Sequence, residues 1–160
     1  MQNADFVKKP PLNDLVLRNI AAAIILYPEL LEKYEEKLLS FEISASPMSK
    51  IIKEIAQIMQ ENGYKDSDNI IDRLKLNFKT EIEGLWEINM LKKQKYTIPE
   101  IKKIIDNDLI GIQLKQLDEQ ISECSTLMKQ QPENSAQLYK KYQTLITERN
   151  NILAQSLHND

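Results

Sequence analysis

A single cysteine and a single histidine among 160 residues exclude an internal disulfide and leave no side-chain set for a Cys/His zinc site. Three glycines are too few for a Gly-rich phosphate loop, and no Gly-x-Ser-x-Gly, His-Glu-x-x-His or Cys-x-x-Cys occurs. The longest apolar run, Ile20 to Tyr27, is far shorter than a bilayer span, and the N-terminus has no apolar signal core. The expectation is an intracellular chain, neither inserted into a membrane nor exported, with no metal and no cofactor. An excess of positive charge is also missing: the net charge of −3 excludes a surface that is basic all over, as a broad nucleic-acid footprint requires.

What the chain does contain is 42% apolar residues and an abundance of Leu, Ile, Lys, Glu and Gln. These are strong helix formers, and the scarcity of Gly and Pro leaves little material for tight turns between strands. The expected fold class is all-α: a helical bundle subdomain joined by a long helix to a C-terminal antiparallel helical hairpin.

Residues 1–11, with Lys8-Lys9-Pro10-Pro11, lack apolar periodicity and read as a flexible lead-in or linker remnant. A bundle subdomain is expected over 12–110. Leu12, Leu15, Val16, Ile20, Ala23 and Leu26 recur at helical steps, and Pro28 opens a second helix carrying Leu30, Leu31, Tyr34 and Leu38. Ser46-Pro47 is a start signal for a third helix, which Gly63 stops. Ser67 or Asp68 caps a short fourth helix through Leu74, and Thr80-x-x-Glu83 reads as a capping box for a fifth carrying Leu85, Trp86 and Leu91.

Thr97-x-x-Glu100 is another capping box, and no firm stop follows until Pro132. This predicts a helix of about 34 residues, about 50 Å long. Its first part, Ile98, Ile101, Ile104 and Ile105, is expected to pack on the bundle. Its second part carries a heptad seam, Ile110, Leu114, Leu117, Ile121, Cys124 and Met128, which resumes after the Pro132 break as Leu138, Tyr142, Leu145, Arg149 and Ile152. Residues 111–157 therefore form the expected hairpin. Gly111, near the meeting of the two halves, is either a hinge or a site of close helix approach.

Candidates for chemistry are few. His158 lies near the end of the chain beyond the apolar pattern, Cys124 fills a seam position that wants a small hydrophobe, and the acidic residues fall at the spacings of solvated helix faces. Candidates for binding are better. Arg149 interrupts the seam opposite Leu117 and near Asp118, so it is either a register-fixing ion pair or an exposed anchor. Tyr139, Ile146, Leu153 and Leu157 form a second apolar line, wider than a two-helix seam needs, and such surplus surface either packs on the first arm or meets a partner. Lys92, Lys93, Lys95, Lys102 and Lys103 are either a solvated face or a local contact for nucleic acid.

Two passages carry a family resemblance. The first is Leu17-Arg18-Asn19-Ile20-Ala21-Ala22-Ala23-Ile24-Ile25-Leu26-Tyr27-Pro28-Glu29-Leu30. The second combines Leu117-Asp118-Glu119-Gln120-Ile121 with Tyr142-Gln143-Thr144-Leu145-Ile146-Thr147-Glu148-Arg149-Asn150-Asn151-Ile152. Together they resemble the C-terminal, helicase-binding domain of bacterial DNA primase, over nearly the whole chain from Leu12 to Leu157. The resemblance implies a non-catalytic domain of a cytoplasmic primase, docking its hairpin on the N-terminal domain of the hexameric replicative helicase at the fork. Tyr139, Tyr142, Ile146, Arg149, Leu153 and Leu157 are the expected contacts. The alternatives are the related N-terminal domain of the replicative helicase itself, or a structural protein that self-associates through its hairpins.

Overall fold

The computed structural model describes residues 9–62 and 66–158. The lead-in up to residue 8, the proposed stop at Gly63 and the side chain of His158 lie outside the described residues. The fold is all-α: α1 (Asp14–Leu26), a 3-10 turn (Pro28–Leu30), α2 (Leu31–Leu38), α3 (Pro47–Asn62), α4 (Ser67–Glu83), α5 (Glu87–Gln94), α6 (Ile98–Gln130), a 3-10 turn (Pro132–Asn134) and α7 (Ser135–His158). Among the described residues there is no strand; one isolated bridge pairs Pro11 with Glu42, where the Leu12 N–H donates to the Glu42 carbonyl at 2.9 Å. None of the described helices is long and apolar enough to cross a membrane. The chain divides into two compact units, Pro11–Ile105 and a second that includes Asp106–Asp160.

In the first unit α1 is the central element, packing against α3, α4 and α5. Its Val16, Leu17, Ile20, Ala21, Ala22, Ala23, Ile24 and Ile25 are all buried, and the alanine run gives neighbouring helices room to approach. Tyr34, Ile51, Ile55, Ile70, Leu74, Ile101 and Ile105 complete the core. Each such aliphatic side chain contributes about 1.5–3 kcal/mol on burial. Two side chains counted on apolar faces point out instead. Leu15 is exposed because α1 begins only after Asn13, so its buried stripe starts at Val16 and Leu15 lies with Asp14 and Arg18 on the polar flank. Ile104 is exposed too, leaving Ile101 and Ile105 as the buried pair of that helical turn.

Most helix starts follow the capping chemistry. Asn13 accepts from the Val16 N–H, and Ser46 and Ser49 exchange reciprocal bonds, Ser49 N–H to Ser46 Oγ at 3.2 Å and Ser46 N–H to Ser49 Oγ at 3.0 Å. The Thr97–Glu100 box forms in both directions, Thr97 N–H to Glu100 Oε1 at 3.1 Å and Glu100 N–H to Thr97 Oγ1 at 3.3 Å. The Thr97 backbone N–H, and after it the Thr97 hydroxyl that donates to the same Oε1 at 2.9 Å, hold the Glu100 carboxyl below the usual carboxylate range.

Two expectations near α4 need correction. Its cap is Asp66, whose carboxylate accepts from the Asn69 N–H at 2.9 Å, and Ser67 is already helical. Thr80-x-x-Glu83 is no capping box, because α4 continues through it to Glu83. Lys75 to Lys79 contain no Gly or Pro, yet the helix kinks at Phe78 (φ −132°, ψ 36°), two positions ahead of Thr80, which is again helical. The α5 helix starts instead after a short turn at Gly84, with Trp86 exposed at its N-terminus.

Candidate protein-docking surface

The second unit is the hairpin of α6 and α7. Leu117, Cys124, Leu145 and Ile152 are its buried core, flanked by half-buried Ile110, Leu114, Ile121, Leu138 and Tyr142. The seam is closed by its own residues. Cys124 is 1% exposed and its thiol donates to the Leu138 carbonyl at 3.1 Å, so it acts as a core side chain with its polar hydrogen satisfied. The turn between the arms is tied by the Gln131 N–H to the Leu127 carbonyl and by the Asn134 side-chain amide to Gln131 Oε1.

Arg149 resolves toward the register role. Its Nε donates to Asp118 Oδ1 at 2.7 Å, joining the arms 31 positions apart in sequence, yet both side chains keep substantial exposure, 35% and 56%. The pair lies at the hairpin surface, where it fixes the pairing and remains open to a further anion.

The second apolar line of α7 is left partly outside the hairpin core. Tyr139 is 55% exposed and Leu157 76%, while Ile146 and Leu153 are half-buried. Tyr139 and Tyr142 stack with ring centroids 6.5 Å apart and an interplanar angle of 17°, a preformed aromatic pair at the turn end of α7. The six expected contacts therefore share one helix, with Tyr142 and Arg149 also serving the hairpin and Tyr139 and Leu157 free of it.

Gly111 is exposed in an uninterrupted α6, and a Cβ placed there would meet nothing within 4 Å. Close helix approach is thus not its role. The five lysines belong to the α5–α6 region of the first unit: Lys92, Lys93, Lys95 and Lys103 are exposed and Lys102 is half-buried. Lys103 already has an interaction partner.

A feature not anticipated from the sequence is a charged fork inside the bundle. Arg18 on α1 donates through Nε to Glu87 Oε2 at 2.8 Å and through Nη2 to Glu87 Oε1 at 2.9 Å and the Gly84 carbonyl at 2.7 Å. The Glu87 side chain is only 2% exposed. The hydrogen bond to Glu87 raises the Arg18 pKa, against the opposing effect of burial. The one signal was an arginine in a mostly apolar helix; its partner, 69 positions away, left no local trace.

The bundle also has a recess of about 330 Å³ lined by Leu17, Leu38, Leu39, Ile43 and Ile52 together with Glu35, Lys53 and Ser49. The Ser49 hydroxyl there is committed to the Ser44 and Ser46 carbonyls. Among the described residues no group of three or more His, Cys, Asp or Glu is placed to hold a metal ion. Compared with known proteins, the chain matches no family model, no curated protein and no solved structure.

Proposed function

We propose that this chain is a helicase-docking domain of a bacterial DNA primase, and that α7 carries the contact with the N-terminal domain of the hexameric replicative helicase. The observation that supports this reading best is the surplus apolar line of α7. The hairpin completes its core with Leu117, Cys124, Leu145 and Ile152 and still leaves Tyr139 and Leu157 largely in solvent. Exposed aromatic and aliphatic anchors beside an arginine are the residue types enriched at interface hot spots. The order of the two resembling passages, one in α1 and one spread over both hairpin arms, adds to it. On this reading the chain performs no chemistry of its own, and primer synthesis belongs to other parts of the parent protein.

Calorimetric titration of the chain with the helicase N-terminal domain tests the proposal. Tyr139→Ala and Leu157→Asp each weaken binding by about 1–3 kcal/mol; Leu157→Asp leaves the melting temperature unchanged, and Tyr139→Ala lowers it only slightly, by the loss of its stacking on Tyr142. Undiminished binding by both variants removes α7 as the contact. Sedimentation at several concentrations tests the self-associating alternative, since a tight dimer broken by Leu157→Asp assigns the same apolar line to a second copy of the chain.

A further inference from the structure

The chain has one tryptophan, and the fold leaves it 57% exposed at the start of a helix rich in lysine. Trp86 is in helical phase with α5, and the Met90 N–H bonds to its carbonyl at 3.0 Å. Glu87, Ile88 and Leu91 take the buried side of α5, which sends Trp86, Asn89 and Lys93 outward at steps of three and four. Lys92 and Lys95 flank this line and are exposed. Among the described residues none of these three lysines is engaged in an ion pair.

The charge balance is as informative as the ring. Residues 86–103 contain five lysines and two glutamates, a net charge of +3 within a chain whose total is −3. Glu87 is withdrawn from the surface by Arg18, and Glu100 is bound by Thr97. The outward face of α5 and its C-terminal cap present Lys92, Lys93 and Lys95 beside an exposed indole, a combination suited to a polyanion that carries free aromatic faces.

We propose that the α5 face binds single-stranded DNA, with a base stacked on Trp86 and the phosphates of adjoining nucleotides held by Lys92, Lys93 and Lys95. The choice of DNA rests on the helicase-docking reading, which brings the domain to unwound strands; the stacking site itself rests on α5 alone. The helix advances about 10 Å from Trp86 to Lys93, so the contact is short and sequence-tolerant.

Because Trp86 is the sole tryptophan, its fluorescence reports directly on the site. Titrating the full chain with an oligothymidylate is expected to quench this emission to saturation, with log K falling against log salt at a slope of about −2 for three phosphate contacts. By anisotropy of a labelled oligonucleotide, Trp86→Leu weakens binding about tenfold or more, Trp86→Phe restores most of it, and a Lys92→Gln/Lys93→Gln variant flattens the salt slope. No quenching at low salt, or equal quenching by inorganic polyphosphate, which has no bases, overturns the proposal. So does full binding by Trp86→Leu, and tighter binding of oligouridylate overturns the choice of DNA. Helicase binding by the Tyr139 and Leu157 variants is read in a separate titration, so either proposal fails without the other.

Discussion

Each of the two units is stitched by an arginine and a carboxylate, and the depths of the two stitches differ. In the bundle, Arg18 grips Glu87 with a two-pronged fork and the Gly84 carbonyl with a third bond, and Glu87 is almost wholly removed from water. In the hairpin, Arg149 meets Asp118 through a single bond at a surface where both remain wet. The same residue types thus do different work. A buried carboxylate deprived of its partner is left charged in a poor solvent, whereas an exposed one is rehydrated at once. The bundle depends on its pair, and the hairpin uses its pair to select a register that the apolar seam already stabilises.

Substituting Arg18→Met is the strongest way to break this contrast. It strands Glu87 and is expected to destabilise the first unit by about 3–5 kcal/mol in urea denaturation, while Arg18→Met/Glu87→Leu recovers most of the loss. A double variant as unstable as the single one assigns the cost to lost packing instead. Arg149→Ala comes next, with a loss of about 0–1 kcal/mol, and a double-mutant cycle with Asp118→Ala gives a coupling in the same range that shrinks in high salt. A loss as large as that of Arg18→Met contradicts the surface role. The smallest effect concerns the Thr97–Glu100 cap at the start of α6. The Glu100 pKa is depressed in the fold, so its contribution is present at neutral pH, where the carboxylate is ionised in folded and unfolded chains alike. It is lost as pH falls through the depressed folded value. The protection factors of Ile101 and its neighbours, followed from neutral to acidic pH and corrected for the slower intrinsic exchange in acid, are expected to fall at α6's first turn ahead of the α6 interior.

What the sequence made legible follows from the range of the forces involved. The seam residues Leu117, Cys124, Leu145 and Ile152 are inside as their heptad spacing predicts, because one helix face meets one other helix face and nothing more distant intervenes. Ser46-Pro47 and Thr97-Glu100 work as caps because donor and acceptor are three residues apart. Thr80-Glu83 has the same local grammar and does not cap, since the helix kinks at Phe78, two positions ahead, and Thr80 already lies inside the helix beyond the kink. Asp66 takes the cap from its neighbours by one position, a difference smaller than sequence patterns resolve. Of the Arg18–Glu87 fork only the arginine showed, because nothing local to α1 specifies which acid the tertiary fold will bring to it. Spacing drew the two apolar lines of α7, but which of the residues proposed as contacts are already spent on the hairpin, Tyr142 and Arg149, is decided by the pairing of the arms.

The continuity of α6 has a consequence for how the molecule breathes. Ile101 and Ile105 anchor one stretch of this helix in the bundle core, and Leu117 and Cys124 anchor another in the hairpin core. Transient separation of the hairpin arms releases the second stretch without requiring the first to let go. Amides along a single hydrogen-bonded ladder therefore report two distinct opening events, and the residue at which protection changes from one to the other marks where cooperativity ends inside one unbroken helix.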